Sequence, residues 1–185
     1  MSVRVLVVSL MWLAVPRVIG PVAILDPAPA ESNIPYEDAE FAPFPKNWTL
    51  LCGDRSSLEL DMQLEEAAQE FDVEPALLAT VIIRESGCRP EVMGLQGEIG
   101  LGQINPFVWK NTLRREGLIE YTGQLYNAEI NLRCSSYILS RMLKRSKGDT
   151  WGALRRYNGS GKRARAYADE AYRVYASLKL ESGVE

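Results

Sequence analysis

From about Leu58 onward apolar residues recur every three or four positions, and this period limits the possible folds more than any other feature of the chain. Leu60, Leu64, Ala67 and Phe71 form one such stripe, behind Ser56 and Ser57, either of which can cap a helix start. Pro75 suits the first turn of a second helix and Gly87 its stop, which predicts a helix over 75–86. Further helices read around 106–116, 128–146, 150–157 and 163–180. No alternating strand pattern or hairpin signal interrupts them, apart from short possibilities near 96–103. The expectation is a mainly α globule of short packed helices with little or no sheet.

Residues ahead of this body read as an address. Arg4 is followed by an apolar run from Val5 to Val15, too short to cross a bilayer alone, and Ala28-Pro29-Ala30 has the small-x-small form of a cleavage site. The reading is a signal peptide over 1–30, with an uncleaved anchor as the alternative. Pro35, Pro43, Pro45 and a group of acids then mark 31–49 as a linker, leaving 50–182 as the folded domain. Export, to the periplasm or cell envelope, is the expected localisation.

Composition removes several chemistries. The chain has no histidine, so His-dependent triads and the common His-containing zinc sites are out of reach. Its net charge of −3 gives no basic field for nucleic acid. Cys52, Cys88 and Cys134 lack CxxC spacing; export would permit one disulfide and leave one thiol, and the sequence does not choose the pair. Acid and base chemistry then rests on carboxylates, Tyr, Lys or Cys.

One carboxylate stands in an unusual place. Leu78, Val81 and Ile82 make the apolar stripe of the second helix, and the next position on that stripe is Glu85. It also falls in the last turn, where the helix dipole disfavours negative charge. Both effects raise a carboxyl pKa, as a general acid near neutral pH requires. A surface Glu paired with Arg84 or Arg89 is the plainer alternative.

The surroundings weigh against that alternative. Glu85-Ser86-Gly87 is followed by Gly97-Glu98-Ile99-Gly100-Leu101-Gly102-Gln103-Ile104 and later by Ala153-Leu154-Arg155-Arg156-Tyr157-Asn158-Gly159. In order and spacing these blocks resemble the glutamate-serine, GLMQ-type and AYNAG-type motifs of the soluble lytic transglycosylase family, with Asn131-Leu132 and Ala76-Leu77-Leu78 as further matches. The resemblance spans roughly residues 52 to 180. It implies a lysozyme-like fold and cleavage of peptidoglycan between N-acetylmuramic acid and N-acetylglucosamine, leaving 1,6-anhydro ends. Glu85 would be the acid, with Ser86, Gly100, Leu101, Gln103, Ile104, Tyr157, Asn158 and Tyr167 as substrate-binding residues; Tyr157 would lie beside Glu85 with its hydroxyl able to bond the carboxyl. No metal or cofactor is needed. The small single domain also resembles specialised members that open the wall for secretion or appendage complexes.

Three positions depart from the family pattern. Glu98 replaces a small residue, Gly102 replaces Met, and Gly159-Ser160 replaces an Ala-Gly pair. A second acid at Glu98 would permit lysozyme-like hydrolysis, in which the two carboxyls stand about 6.5 to 9.5 Å apart. A non-catalytic wall-binding protein of the same fold is the other alternative. Gln103 offers an amide donor and acceptor for a sugar N-acetyl group, and Phe107, Trp109 and Tyr126 could stack on sugar faces. Tyr167, Tyr172 and Tyr175 in the last helix read as packing, although the family places a tyrosine of that helix near the cleft, which is the ground for carrying Tyr167.

Overall fold

The structure is a computed structural model that describes residues 48–181 apart from Ser56; residues 1–47, which hold the expected signal peptide and most of the expected linker, lie outside the described residues. It is helical, with α1 at Trp48–Cys52, α2 at Leu58–Glu70, α3 at Pro75–Ser86, α4 at Pro106–Arg115, α5 at Ala128–Arg145, α6 at Thr150–Asn158 and α7 at Gly161–Glu181. Among the described residues the only β pairing is two isolated antiparallel bridges, Met93 with Ile99 and Ile99 with Ile104, where the sequence suggested short extended pieces. Mainly α is therefore the observed class.

Local chemistry sets most helix ends. Ser57 accepts the amide of Leu60 at 3.1 Å to start α2, Asn105 accepts Phe107 N at 2.9 Å before α4, and Asn127 accepts Ile130 N at 3.0 Å before α5. Asp149 does the same for Gly152 N at 3.0 Å ahead of α6. Pro75 opens α3, and Gly87, at φ 58°, closes it in the left-handed conformation that glycine adopts without strain. Two ends differ from the sequence reading. α1 begins at Trp48, inside the stretch read as linker, because that indole is 1% exposed and packs into the core; α7 begins at Gly161, ahead of Arg163.

Two apolar cores flank the site. The larger joins α1, α2, α3, α5, α6 and α7 around Leu64, Leu78, Ile82, Leu132, Leu139 and Leu154. α3 is its axis: Pro75 through Ile82 are all buried, so this helix is apolar on every side over two turns. Each such Leu or Ile contributes about 1.5 to 3 kcal/mol through burial. The smaller core gathers Ile99, Ile104, Leu113, Leu118, Leu125, Cys134 and Ile138 from the glycine-rich loop, α4, the segment between α4 and α5, and α5 itself. Phe71 and Tyr157 pack against both cores and join them.

A disulfide pairs Cys52 with Cys88, leaving Cys134 as a buried thiol. It fastens α1 to the chain two residues beyond α3. The end of α3 that carries Glu85 is thereby held by a covalent link as well as by packing.

Candidate active site

Glu85 sits where α3 leaves the larger core and is half-buried, so it is not sealed from ligand. Burial lifts its carboxyl from 4.5 to about 7; the Tyr167 hydroxyl and the Arg84 guanidinium pull it down, and the Glu98 carboxylate pushes it up. Around neutral pH the group is thus divided between its acid and base forms. The sequence expectation of a raised pKa on this helix face holds, with burial as its main physical cause.

The two tyrosines divide their work differently from the sequence reading. Tyr157 was expected to bond the carboxyl, but its hydroxyl donates to the carbonyl of Gly102 at 3.0 Å, with Ser135 beside it. Tyr167, from α7, is the tyrosine that leans on Glu85. Its hydroxyl is buried and by strict geometry unsatisfied, so this contact is looser than an ordinary hydrogen bond and would tighten onto an ionised carboxylate. Arg84 lies over the Tyr167 ring at 5.9 Å and pairs with Glu170, which steadies that side of the site. Burial pushes both tyrosine hydroxyls up from their ordinary pKa, with Glu85 adding to the effect, so both stay neutral donors.

The glycine-rich loop is held by side-chain amides. The carboxamide of Asn131, fully buried on α5, accepts the Gly102 amide at 2.8 Å and donates to the Ile99 carbonyl at 2.9 Å and the Leu125 carbonyl at 2.7 Å. A side chain at Gly102 would run into Ser135 and the Tyr157 hydroxyl, and one at Gly100 would run into Asn131. Gly102 in place of Met is therefore what lets Tyr157 and Ser135 approach the loop. Gln103, a non-glycine residue at φ 47°, spends its amide donor on the carbonyls of Val92 at 3.1 Å and Gly100 at 2.9 Å. Of the donor and acceptor expected for a sugar N-acetyl group, the amide oxygen is left. That oxygen and the Glu98 carboxylate both crowd the same side of Gly94, and Glu98 also accepts the Gln96 amide at 3.0 Å.

The remaining sequence candidates sort by burial. Leu101 and Ile104 are buried in the larger and the smaller core respectively, so they shape the loop from beneath. Gly100 is buried against Asn131. The Ser86 hydroxyl is turned to backbone, donating to Ile82 O and accepting Arg89 N, both at 3.2 Å; it holds the turn after Glu85. Asn158 is exposed at the last position of α6. Phe107 and Tyr126 are exposed beside the loop, Tyr126 touching Met93 and Phe107 lying near Gly97, while Trp109 packs on the smaller core. Tyr172 and Tyr175 pack on the larger core, as read. No group of His, Cys, Asp and Glu able to hold a metal occurs among the described residues.

Asn131 and Ser135 are the residues whose work the sequence did not reveal. The available signal was two polar side chains four apart on the apolar face of α5, a spacing that stacks them on one side of a helix.

This arrangement is that of a known class. The sequence matches the transglycosylase SLT domain family over residues 62–178, and the chain belongs to that family, within the lysozyme-like superfamily. An Escherichia coli protein described as X polypeptide is 28% identical over 129 residues, which cover 64% of this chain and 75% of that one. The structure of an inactive mutant of lytic transglycosylase Slt from Pseudomonas aeruginosa superposes with a TM-score of 0.60 at 18% identity, covering 65% of this chain. The match covers 24% of the Pseudomonas chain, and at this identity the likeness is one of fold.

Proposed function

We propose that the protein is a peptidoglycan lytic transglycosylase that cuts the glycosidic bond between N-acetylmuramic acid and N-acetylglucosamine, with Glu85 as acid and then base. The single observation that carries the reading is a carboxyl lifted to about 7 by burial, at the glutamate of the family's motif. Protonated Glu85 gives its proton to the bridging oxygen, and the N-acetylglucosamine side leaves as an alcohol. The resulting carboxylate takes the proton of the muramic acid C6 hydroxyl, whose oxygen bonds to C1 and closes the 1,6-anhydro ring. The nucleophile belongs to the substrate, so one carboxylate suffices. Tyr167 steadies the ionised form of Glu85 between the two transfers, and the Gln103 amide oxygen, which takes no hydrogen bond among the described residues, accepts a sugar N–H.

The test is digestion of purified peptidoglycan by the chain and by Glu85→Gln, with muropeptide masses as readout. Products one water lighter than reducing-end muropeptides, absent with Glu85→Gln, are expected. Reducing ends would instead favour hydrolysis, a second reading supported by the Glu98 carboxylate standing close enough to raise Glu85. Wall binding without products would favour the non-catalytic reading.

Export is part of the proposal, supported by the Cys52–Cys88 disulfide, since such bonds persist in oxidising compartments. The reading extends to wall opening for a secretion or appendage complex, on the family resemblance. Its test is whether Glu85→Gln in the producing cell blocks assembly of that complex while growth continues.

A further inference from the structure

Charge is distributed unevenly over the fold. α2 and the turn after it carry Glu59, Asp61, Glu65, Glu66, Glu70, Asp72 and Glu74 with no cation between them. The stretch from Arg141 to Arg165 is the reverse, with Asp149 as its single acid. Within that stretch, at the corner where α5 ends and α6 begins, lies a hollow of about 330 Å3. Arg145, Lys147, Arg155 and Arg156 line it, with Trp151 as an apolar wall and Asp149 as the opposing charge.

Arg156 donates to Ser146 at 3.1 Å, Trp151 donates to Asp169 at 2.9 Å, and Asp149 is engaged by the α6 amide. The side chains of Arg145, Lys147 and Arg155 make no ion pair or hydrogen bond among the described residues, although the chain has more acids than bases. Helix-dipole compensation accounts for Arg145 at the end of α5. The same compensation applies to Arg155 and Arg156 in the last turn of α6, but both also line the corner where that helix begins.

We propose that this hollow holds carboxylates of the peptide stems carried by the glycan strand being cut, a reading that rests on the proposed function. α6 links the two places. Its nine residues span about 13 Å, with Trp151 at the hollow and Tyr157 at the glycine-rich loop beside Glu85. A peptide branch of a polymer seated at Glu85 has about that length to span to the hollow, and branches ending in carboxylates match unpaired guanidinium and ammonium groups.

The test compares the full chain with an Arg145→Gln, Lys147→Gln, Arg155→Gln variant, both carrying Glu85→Gln so that strands stay intact. Binding is measured on peptidoglycan, on the same strands after an amidase has removed their stems, and on phosphatidylglycerol vesicles. The expected result is about five- to tenfold weaker binding of the variant to stem-bearing strands, with stripped strands bound equally by both. With Glu85 restored, cutting of stripped strands stays unchanged. Equal binding of both proteins to stem-bearing strands overturns the proposal. So does a loss confined to the vesicles, which would assign the hollow to a lipid surface. If the unmutated chain cuts nothing while the stem preference persists, the cutting reading fails and the hollow's role stands.

Discussion

The two walls of the site are built by different forces. The Glu85 wall is made by burial: α3 runs through the larger core, and the apolar surroundings that hold the helix also hold the carboxyl near pKa 7. The opposite wall, the glycine-rich loop, buries Ile99, Leu101 and Ile104 beneath it, but its backbone course is set by the buried Asn131 amide, the Tyr157 hydroxyl and the Gln103 side chain. The first wall tolerates loss of any single contact, because dispersion and burial are spread over many atoms. The second depends on a few directional bonds, each costly to leave unmade once buried. On the proposed function the chemistry sits on the diffuse wall, and substrate alignment falls to the directional one.

Substitutions on each wall can sharpen or break this contrast. Glu85→Gln has the largest expected effect, a loss of cutting of about a hundredfold to ten-thousandfold measured by muropeptide release. The same change reports on stability. Because the folded pKa is raised above 4.5, the unfolded chain ionises first as pH rises, so the parent loses stability between about 4.5 and 7 and levels off above. Glu85→Gln is therefore expected to match the parent at pH 4 and exceed it by about 1 to 3 kcal/mol at pH 8 in denaturant titration. A deficit at pH 8 would contradict the burial account.

Removing the disulfide with Cys52→Ala and Cys88→Ala should cost about 3 to 4 kcal/mol, from the chain entropy of a 36-residue separation, read as a lower denaturation midpoint. On the other wall, Asn131→Leu keeps the volume but leaves the Gly102 amide and the Ile99 and Leu125 carbonyls unpaired. A loss of about 2 to 4 kcal/mol is expected, and faster amide exchange at Gly102 should localise it to the loop. If exchange instead rises evenly along α3, the two walls are not independent.

Smaller effects separate the tyrosines. Tyr167→Phe removes a donor that stabilises ionised Glu85, so the alkaline limb of the pH–activity profile should move upward by less than about one unit. Tyr157→Phe should leave that limb in place and cost about 1 kcal/mol through the lost bond to Gly102. Glu98→Gln has the smallest expected effect, a slight downward move of the limb with the product unchanged. Loss of turnover in Glu98→Gln would make Glu98 a working acid or base and favour hydrolysis.

What the sequence disclosed follows the same division. α3 was legible to the residue, because Pro75, Gly87 and the stripe ending at Glu85 are local signals that packing then reinforced. The extension of the fold back to Trp48 was not, because five residues of helix carry no periodicity and the indole's burial depends on partners far along the chain. The Cys52–Cys88 pairing was hidden for the same reason. At the site, motif spacing pointed to Glu85 and Tyr157 and the family resemblance to Tyr167, but which hydroxyl reaches the carboxyl is decided by how α6 and α7 pack. The polar groups of Gln103 and Ser86, read as substrate-binding, are largely used to hold backbone, a role that local sequence does not separate from ligand binding.

The most direct test of the central claim is an NMR titration of the Glu85 side-chain carboxyl in the intact, unliganded protein. The account predicts a midpoint near 7, moving upward in Tyr167→Phe. A midpoint near 4.5, unchanged in that variant, would mean that the carboxyl is solvated and would remove the physical basis for Glu85 as the acid.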